Sequence, residues 1–284
     1  MTPKQRVLGV LHPGSMGAAV AACAVSAGTR VLWCPAGRSA ATVRRAKQAG
    51  LEPVAELGEL LQQAEVVLSL CPPAAAEDVA HDVAGHGFTG VYVEGNAISP
   101  DRVQRIAALV GRSARAVVDG SVIGSPPVGD KSTRLFLSGP AGDTALVTAL
   151  FSGTAVSTPI LGEEIGQASA LKVSYTAYQK ASRVLAALSY GLARHHGVDQ
   201  ALLDVAGKRG GSYLVETDYI AKTAARAWRW APEMEEAADT LRAAGLPDEV
   251  LRAVASTLRC WTDAKDSSGL SLEDALEMLR ESSE

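Results

Sequence analysis

The chain has 284 residues, enough for two domains of ordinary size, and its 47% hydrophobic and 20% charged residues are typical of a folded globular protein. Its net charge is −4 and no basic excess is present, which argues against nucleic acid as a partner. The four cysteines form no CxxC pair, so the sequence predicts neither a zinc ribbon nor a dithiol redox motif.

Short β-type runs alternate with helix-type runs through the first half of the chain. Strands that alternate with helices indicate βαβ units and a parallel sheet with both faces covered. The last two strands, 134–137 and 155–156, are expected to close this sheet. The other predicted strands are 7–11, 30–34, 66–70, 91–93 and 116–118, and the predicted helices are 16–27, 39–49, 75–84 and 100–110.

After residue 162 the β-type pattern ends and helical periodicity takes over. Apolar residues at spacings of three, four and seven predict a long amphipathic helix over Glu163–His196. The sequence therefore predicts two domains, 1–161 and 162–284, of which the second is all-helical. Further helices are predicted at 199–207, 212–229, 233–244, 248–264 and 271–280.

An uncharged stretch between Arg6 and Arg30 raises the alternative of an export signal. A signal peptide has a continuous apolar centre, whereas His12, Pro13 and Gly14 interrupt this one. These interruptions favour a cytoplasmic protein that is not attached to a membrane.

The segment 9–17 joins the first predicted strand to the first predicted helix. Gly14 and Gly17 take the second and third positions of a GxGxxG turn, and His12 stands at the first. Such a turn brings the positive end of a helix to the pyrophosphate of a dinucleotide. A P-loop is excluded because Ser15 and Met16 stand where Lys and Ser or Thr are needed. A tight turn without a ligand is the alternative. The residues expected to bind the cofactor here are His12, Pro13, Gly14, Ser15, Met16 and Gly17.

No acidic residue follows the second predicted strand. A cofactor without a 2′-phosphate usually meets an Asp or Glu at this point. Here Arg38 and Ser39, with Arg44 and Arg45 further into the helix, can hold a phosphate through charge-assisted hydrogen bonds. The segment thus indicates NADP rather than NAD, and a solvated basic helix start is the alternative.

Lys172 begins a polar row on the long helix, followed at intervals of four, three and four by Thr176, Gln179 and Arg183. Such a row lines a cleft or faces water. In a cleft, a lysine ammonium can give a proton to oxygen or nitrogen while a hydride adds to C=O or C=N. We therefore interpret Lys172 as the catalytic residue.

Polar residues also follow the ends of three predicted strands. Asn96 and Ser121 are placed to contact substrate or to cap turns. Cys71 is interpreted as packing near the cofactor, because no activating base is evident for thiol catalysis.

Five segments resemble signatures of the β-hydroxyacid dehydrogenase superfamily, which includes 3-hydroxyisobutyrate and 6-phosphogluconate dehydrogenases and is related to the imine reductases. Their order and spacing match over nearly the whole chain. The HPGxMG opening, with WRWxxEMEE at 228–236, resembles a less characterised branch. The segments are HPGSMG at 12–17, VVLSLCPP at 66–73, EGNAISP at 94–100, DGSVIGS at 119–125 and GQASALKVSYT at 166–176.

The resemblance implies an α/β fold, with a doubly wound parallel sheet of the Rossmann type followed by an all-α C-terminal domain. It implies an NAD(P)-dependent oxidoreductase that uses NADPH on a small carbonyl or β-hydroxy acid, with Lys172 as general acid and base and without a metal. Cys71 and Pro72 join the cofactor site, as does Asn96. Together with the polar row and the strand ends, it gives the residues expected to contact the substrate, Asn96, Ser121, Tyr175, Thr176 and Gln179.

Two departures from the superfamily pattern leave the reaction open. The superfamily serine falls at Ile123 and the asparagine after the lysine falls at Thr176. The groups that hold a substrate carboxylate therefore differ, which keeps reduction of a C=N bond as an alternative. A non-catalytic NADP-binding sensor or scaffold is the alternative of another class.

A homodimer built on the long helix is expected from the superfamily resemblance. A helix over Glu163–His196 would be about 50 Å long at 1.5 Å per residue, more than one compact helical domain covers. Its apolar stripe is therefore expected to continue against a second subunit. Light scattering at micromolar concentration should give twice the chain mass of 29.4 kDa, and a monodisperse species at the chain mass would contradict this expectation.

Overall fold

A computed structural model describes residues 5–208, 210–211, 213 and 216–281. These residues divide into two compact units, one that ends at Ala177 and one that begins at Tyr178. Within the described ranges, no helix is both long enough and apolar enough to cross a membrane.

The first unit is an α/β structure whose strands and helices alternate as predicted. Helix α7 (Gln167–His195) starts in this unit and carries Lys172. The strands are β1 (Val7–Val10), β2 (Arg30–Trp33), β3 (Glu52–Pro53), β4 (Val66–Ser69), β5 (Val91–Glu94), β6 (Ala116–Gly124), β7 (Thr133–Ser138), β8 (Val156–Ser157) and β9 (Ile160–Gly162). The other helices are α1 (Ser15–Ser26), α2 (Ala40–Gln48), α3 (Leu57–Gln63), α4 (Ala76–Gly85), α5 (Pro100–Val110) and α6 (Ala141–Ala149).

The described strands form one sheet in the order β3-β2-β1-β4-β5-β6-β7-β8, with β9 paired to β7. All pairs are parallel except β6 with β7. Strand β1 lies between β2 and β4, so the chain leaves β1 toward one edge of the sheet and returns to its other side. This reversal opens a crevice beside the carboxyl end of β1, where doubly wound folds bind their ligands.

Apolar residues bury both faces of the sheet. On one face α1, α2 and α6 pack against the strands through residues such as Val20, Ala46 and Val147. On the other face α3, α4 and α5 pack through residues such as Leu60 and Ile106. The predicted doubly wound sheet is therefore confirmed. Its strands are largely apolar because both faces are covered, and polar residues such as Ser69 and Glu94 stand at carboxyl ends of strands.

The second unit is all-helical in its described residues. Its helices after α7 are α8 (Asp199–Ala206), α9 (Tyr219–Ala243), α10 (Glu249–Arg259) and α11 (Leu272–Glu281). The prediction of separate helices at 212–229 and 233–244 is wrong after Tyr219, because α9 continues through Pro232. Packing of α9 against α10 and around buried Trp261 offsets the hydrogen bond that proline removes. Positions 212, 214 and 215 of the predicted first helix lie outside the described residues.

Candidate functional site

Three loops meet at the carboxyl ends of the parallel strands. They are residues 11–14 after β1, 70–73 after β4 and 95–99 after β5. Because β1, β4 and β5 are adjacent and parallel, their carboxyl ends lie at one edge of the sheet. This edge is where the sequence predicts the cofactor and the reacting groups.

Gly14, at the end of the first loop, and Gly17, in the first turn of α1, are glycines for different structural reasons. Gly14 has an ordinary φ of −68°, and a Cβ there would meet no atom within 4 Å. Neither the backbone nor the packing therefore requires glycine at this position, which fits the close approach of an outside group. A Cβ at Gly17 would collide with the carbonyl oxygen of His12. Gly17 thus lets α1 pack tightly against the loop.

The N-terminus of α1 opens onto the crevice. Gly14 is the N-cap residue of α1, and no side chain caps this helix. The amides of the first helical turn therefore remain available for an anion, and the helix dipole favours negative charge there. The adjacent phosphate cleft has a volume of about 470 Å³ and is lined by His12, Gly14, Ser15, Met16, Gly17, Gly37, Arg38, Ser39, Thr42, Leu70, Cys71 and Pro72.

Most of the residues predicted to bind the cofactor thus surround one cleft. Pro13 is buried within the first loop and does not line this cleft. Asn96 lines a different, smaller pocket that also contains Lys172.

His12 and Arg38 contact each other at the wall of the phosphate cleft. Arg38 Nη1 lies 2.5 Å from His12 Nε2. Burial, reinforced by the charge of Arg38, lowers the pKa of His12 to about 4, so the ring is neutral at pH 7. A neutral His12 leaves the positive charge of Arg38 uncompensated.

Further polar groups continue from Arg38 along the start of α2. Ser39 accepts a hydrogen bond from the backbone amide of Thr42 at 3.3 Å, and Arg45 Nη2 donates to Thr42 Oγ1 at 3.1 Å. His12 Nδ1, Arg38 Nε and Arg45 Nε are buried without a hydrogen-bond partner among the described residues. Unpaired buried donors mark places where a group outside the chain completes the hydrogen bonding. Donors of this kind beside an uncapped helix N-terminus fit a dinucleotide that carries several phosphates.

Lys172 lies in a second, smaller cavity at the same edge of the sheet. Its Nζ donates a hydrogen bond to the carbonyl oxygen of Val122 at 2.6 Å. This Lys172 pocket has a volume of about 200 Å³ and is lined by Met16, Leu70, Cys71, Pro73, Gly95, Asn96, Ala97, Val122, Gly124 and Lys172.

The phosphate cleft and the Lys172 pocket share three lining residues, Met16, Leu70 and Cys71. The two cavities therefore adjoin each other across the loop that follows β4. A dinucleotide with its pyrophosphate at the α1 N-terminus has room to extend one end toward Lys172.

A buried hydrogen-bond network supports the floor of the Lys172 pocket. The Asn96 side chain accepts from the backbone amide of Cys71 at 2.6 Å and donates to Ser69 Oγ at 3.0 Å and to Glu94 Oε1. Glu94 also accepts from the hydroxyl of Tyr92 at 3.2 Å and from the backbone amide of Asn96 at 3.0 Å. The amide of Asn96 is thus engaged within the protein, where it fixes the loop at Cys71.

Glu94 is a carboxyl group without exposed surface. Burial raises the pKa of Glu94 to about 7, against the opposing effect of its hydrogen bonds from Asn96 and Tyr92. Burial likewise raises the pKa of the Cys71 thiol, which keeps it protonated at neutral pH. The thiol is therefore not a nucleophile, in line with a packing role beside the cofactor.

Asp119 holds the start of the helix that carries Lys172. Its Oδ2 accepts from the backbone amides of Gly166 at 3.0 Å and Ser169 at 2.9 Å, and its Oδ1 accepts from Ser169 Oγ at 2.7 Å. Ser138 Oγ adds a fourth hydrogen bond at 3.3 Å. A carboxylate at a helix N-terminus satisfies its free amides and complements its dipole. Asp119 therefore fixes α7 one turn before Lys172.

The remaining predicted substrate residues lie at different places. Ser121 is buried on β6, and its hydroxyl has no hydrogen-bond partner among the described residues. Tyr175 is partly exposed and Thr176 is half-buried, both in the first unit on α7. Gln179 is half-buried on the same helix within the second unit. The side chain of Arg183, the last residue of the predicted polar row, lies outside the described part of the chain.

Three contributors to the site were missed by sequence reasoning. Asp119 and Glu94 belong to two of the segments that resemble the superfamily signatures. However, no neighbouring residue in the sequence indicates which groups their carboxylates hydrogen-bond. Thr42 lies three residues after Ser39, the spacing at which a serine N-cap accepts a hydrogen bond from a backbone amide. This spacing could have identified Thr42 as part of the site.

Replacing Gly14 with alanine should weaken cofactor binding without weakening the fold. The added methyl group meets no protein atom, but it occupies the space in front of the α1 N-terminus. We expect the Kd for a nicotinamide dinucleotide to rise about 10-fold or more, while Tm stays within about 2 °C. Gly142→Ala is the matched control, because its Cβ also meets open space but lies at the start of α6. Equal Kd values in the two variants would contradict this role of Gly14.

The pH dependence of stability should report the burial of Glu94. Its pKa is near 7 in the fold against an ordinary 4.5, so the stability it contributes is complete below 4.5 and is lost as pH rises to 7. The variant Glu94→Gln cannot ionise at this position and therefore does not lose this stability as pH rises. Relative to the native chain, its unfolding free energy should therefore rise by about 2 kcal/mol between pH 5 and pH 8 in urea titrations.

The control for this titration is Glu56→Gln, at an exposed carboxyl that makes no cap hydrogen bond. A pH-independent difference between Glu94→Gln and the native chain would mean that Glu94 ionises as freely as an exposed carboxyl.

Comparison with known proteins places the fold in a family. Residues 7–162 match the family described as the NAD binding domain of 6-phosphogluconate dehydrogenase. Residues 193–261 match a domain of unknown function, DUF1932.

Several solved structures share the fold. An imine reductase from Streptomyces aurantiacus is 21% identical with a TM-score of 0.72, covering 96% of this chain and 99% of that one. A reductive aminase from Aspergillus terreus, in complex with NADPH and ethyl levulinate, is 17% identical with the same TM-score and coverage. A conserved protein of unknown function, described as similar to 3-hydroxyacid dehydrogenases, is 24% identical with a TM-score of 0.60, covering 96% and 99%.

Proposed function

The chain belongs to the family of the NAD binding domain of 6-phosphogluconate dehydrogenase, and we propose that it uses NADPH to reduce a small carbonyl compound, or NADP to oxidise the matching β-hydroxy acid. Membership of this family makes it a nicotinamide-dependent oxidoreductase. The identity of the substrate class, the preference for NADPH and the role of Lys172 are the parts that we propose.

The observation that carries the proposal is the junction of the two cavities. The phosphate cleft adjoins the Lys172 pocket through Met16, Leu70 and Cys71. A dinucleotide anchored at the α1 N-terminus can therefore bring its reacting ring beside the ammonium group of Lys172. A side chain that only packed against the sheet would not need to lie at this junction.

Lys172 acts as the general acid when the substrate is reduced. The hydride for the substrate carbon would come from NADPH held at the phosphate cleft. As that hydride adds, the Lys172 ammonium donates a proton to the substrate oxygen and stabilises the charge developing there. In the opposite direction the neutral amine accepts the proton. The Val122 carbonyl orients the ammonium, and Asp119 fixes the helix that carries it.

The preference for NADPH rests on the charges at the end of β2. In the described part of the chain, neither Arg38 nor Arg45 pairs with a carboxylate, and each has a buried Nε without a partner. The phosphate cleft has no acidic side chain in its lining. A phosphate on the ribose would receive charge-assisted hydrogen bonds here, whereas a free 2′-hydroxyl would find no carboxylate to accept its hydrogen bond.

Imine reduction is the second candidate, and one residue favours it. Ile123 is a buried apolar residue at the position where the superfamily resemblance places a carboxylate-binding serine. A site without that serine is better suited to a substrate that has no carboxylate. In this reaction Lys172 would give its proton to the imine nitrogen while the hydride adds to the imine carbon, which yields the amine.

Substrate panels distinguish these reactions. Purified protein with NADPH is supplied with β-keto acids and semialdehydes in one series and with cyclic imines in another, and consumption of NADPH is followed by absorbance. The proposal predicts turnover on members of the carbonyl series, and turnover confined to the imine series would favour the second candidate. NADH in place of NADPH should lower kcat/KM in either series.

A further inference from the structure

We propose that His12 determines the preference for NADPH by holding the guanidinium of Arg38 in the orientation that binds the 2′-phosphate. This inference rests on the proposed use of NADPH. It gives a role to the histidine that stands where a GxGxxG turn has its first glycine, and that role is to position another side chain rather than to contact the reacting atoms.

The chemistry of the two side chains fixes the direction of their hydrogen bond. An arginine can only donate, so His12 Nε2 accepts from Arg38 Nη1 across the 2.5 Å between them. A neutral imidazole that accepts at Nε2 carries its proton on Nδ1. The low pKa of His12, about 4, keeps the ring in this accepting form at physiological pH.

This contact leaves one edge of the guanidinium for a ligand. Nε and Nη2 share the edge opposite to Nη1, and paired N–H groups on one edge match the oxygens of a phosphate. Arg38 Nε has no partner among the described residues. His12 thus engages the nitrogen that a bidentate phosphate does not need and leaves the other two.

The position of the pair fits the ribose end of the cofactor. His12 and Arg38 line the phosphate cleft and also a neighbouring cavity of about 340 Å³, whose walls combine apolar residues with two acidic ones, among them Leu57, Leu60, Val79, Glu56 and Asp82. The pair therefore stands between this partly apolar cavity and the helix N-terminus that faces the pyrophosphate. A glycine at position 12 would remove this wall and leave Arg38 to sample many rotamers, each of which must be given up on binding.

The test compares two replacements of His12, one without and one with a hydrogen-bond acceptor. His12→Leu fills a similar volume but cannot accept a hydrogen bond, whereas His12→Gln retains an acceptor on a side chain of similar length. Binding of NADPH and of NADH is measured by calorimetry for the native protein, both variants, Arg38→Ala, and the double variant with His12→Leu and Arg38→Ala.

We expect His12→Leu to raise the Kd for NADPH about tenfold and to leave the Kd for NADH nearly unchanged. His12→Gln should retain most of the preference for NADPH. In the Arg38→Ala background, His12→Leu should have little further effect, because its partner is already gone.

Equal losses of NADPH and NADH affinity in His12→Leu, or additive losses in the double variant, would overturn the inference while leaving NADPH use intact. Full retention of the NADPH preference in His12→Leu would also overturn the inference, since packing of residue 12 would then be enough to orient Arg38 without a hydrogen bond. Equal affinity of the native protein for NADPH and NADH would instead overturn the proposed cofactor, and the inference with it. Circular dichroism of each variant confirms that the fold is retained.

Discussion

Replacing Lys172 with alanine should lower turnover by about 10²- to 10⁴-fold, the usual contribution of a positioned general acid. The Kd for NADPH should change little, because the pyrophosphate is held at the α1 N-terminus rather than at Lys172. Steady-state kinetics and a separate binding titration measure the two quantities.

The control for Lys172→Ala is Lys172→Met, which keeps most of the aliphatic stem and loses the ammonium. If Lys172 donates the proton, the methionine variant should be as impaired as the alanine variant, and small amines should partly restore turnover in the latter. If Lys172 only packs against Val122, methionine should rescue activity. Near-normal turnover in Lys172→Met would therefore refute the proton-transfer role and direct attention to Tyr175 or to a water molecule.

Replacing Arg38 with alanine should lower the ratio of kcat/KM with NADPH to kcat/KM with NADH by about 10- to 100-fold. The physical reason is the loss of a hydrogen-bonded charge against the 2′-phosphate, worth about 1.5–3 kcal/mol. Efficiency with NADH should stay near its native value, since that cofactor has no group for Arg38 to bind.

Lys47→Ala is the matched control for the Arg38 variant. Lys47 is exposed near the end of α2 and carries the same charge, so its removal changes the long-range field without touching the phosphate cleft. An unchanged cofactor ratio in Arg38→Ala, or an equal shift in Lys47→Ala, would show that Arg38 makes no specific contact with the phosphate.

Features with a local sequence signal were predictable. The turn before α1 follows from glycines between an apolar strand and a helix, and the basic start of α2 follows directly after β2. The two-residue strand β3 gives no periodicity, and β9 with three residues gives little, so neither was predicted. Helices α3 and α6 were also absent from the prediction, and the interruption predicted between residues 229 and 233 lies within the continuous helix α9.

Features that depend on contacts between distant segments were not predictable. The contact between His12 and Arg38 joins residues 26 positions apart, and it exists because β1 and β2 pair in parallel register. The hydrogen bonds from Gly166 and Ser169 to Asp119 span 47 and 50 positions. Residue types alone could not show that this carboxylate anchors α7, because an aspartate in a strand is equally compatible with pairing to a cation elsewhere on the sheet.

One measurement tests most directly the claim that hydride transfer occurs in the Lys172 pocket. Protein loaded with NADPH is mixed rapidly with each member of the carbonyl and imine panels, and loss of the reduced-nicotinamide absorbance is followed through a single turnover. We expect at least one small carbonyl compound or imine to oxidise the bound NADPH. We expect Lys172→Met to slow this step by about 10²-fold or more while binding NADPH with native affinity. Tight binding of NADPH without oxidation by any member of either panel would contradict this claim and would favour a protein that binds the nucleotide without catalysis.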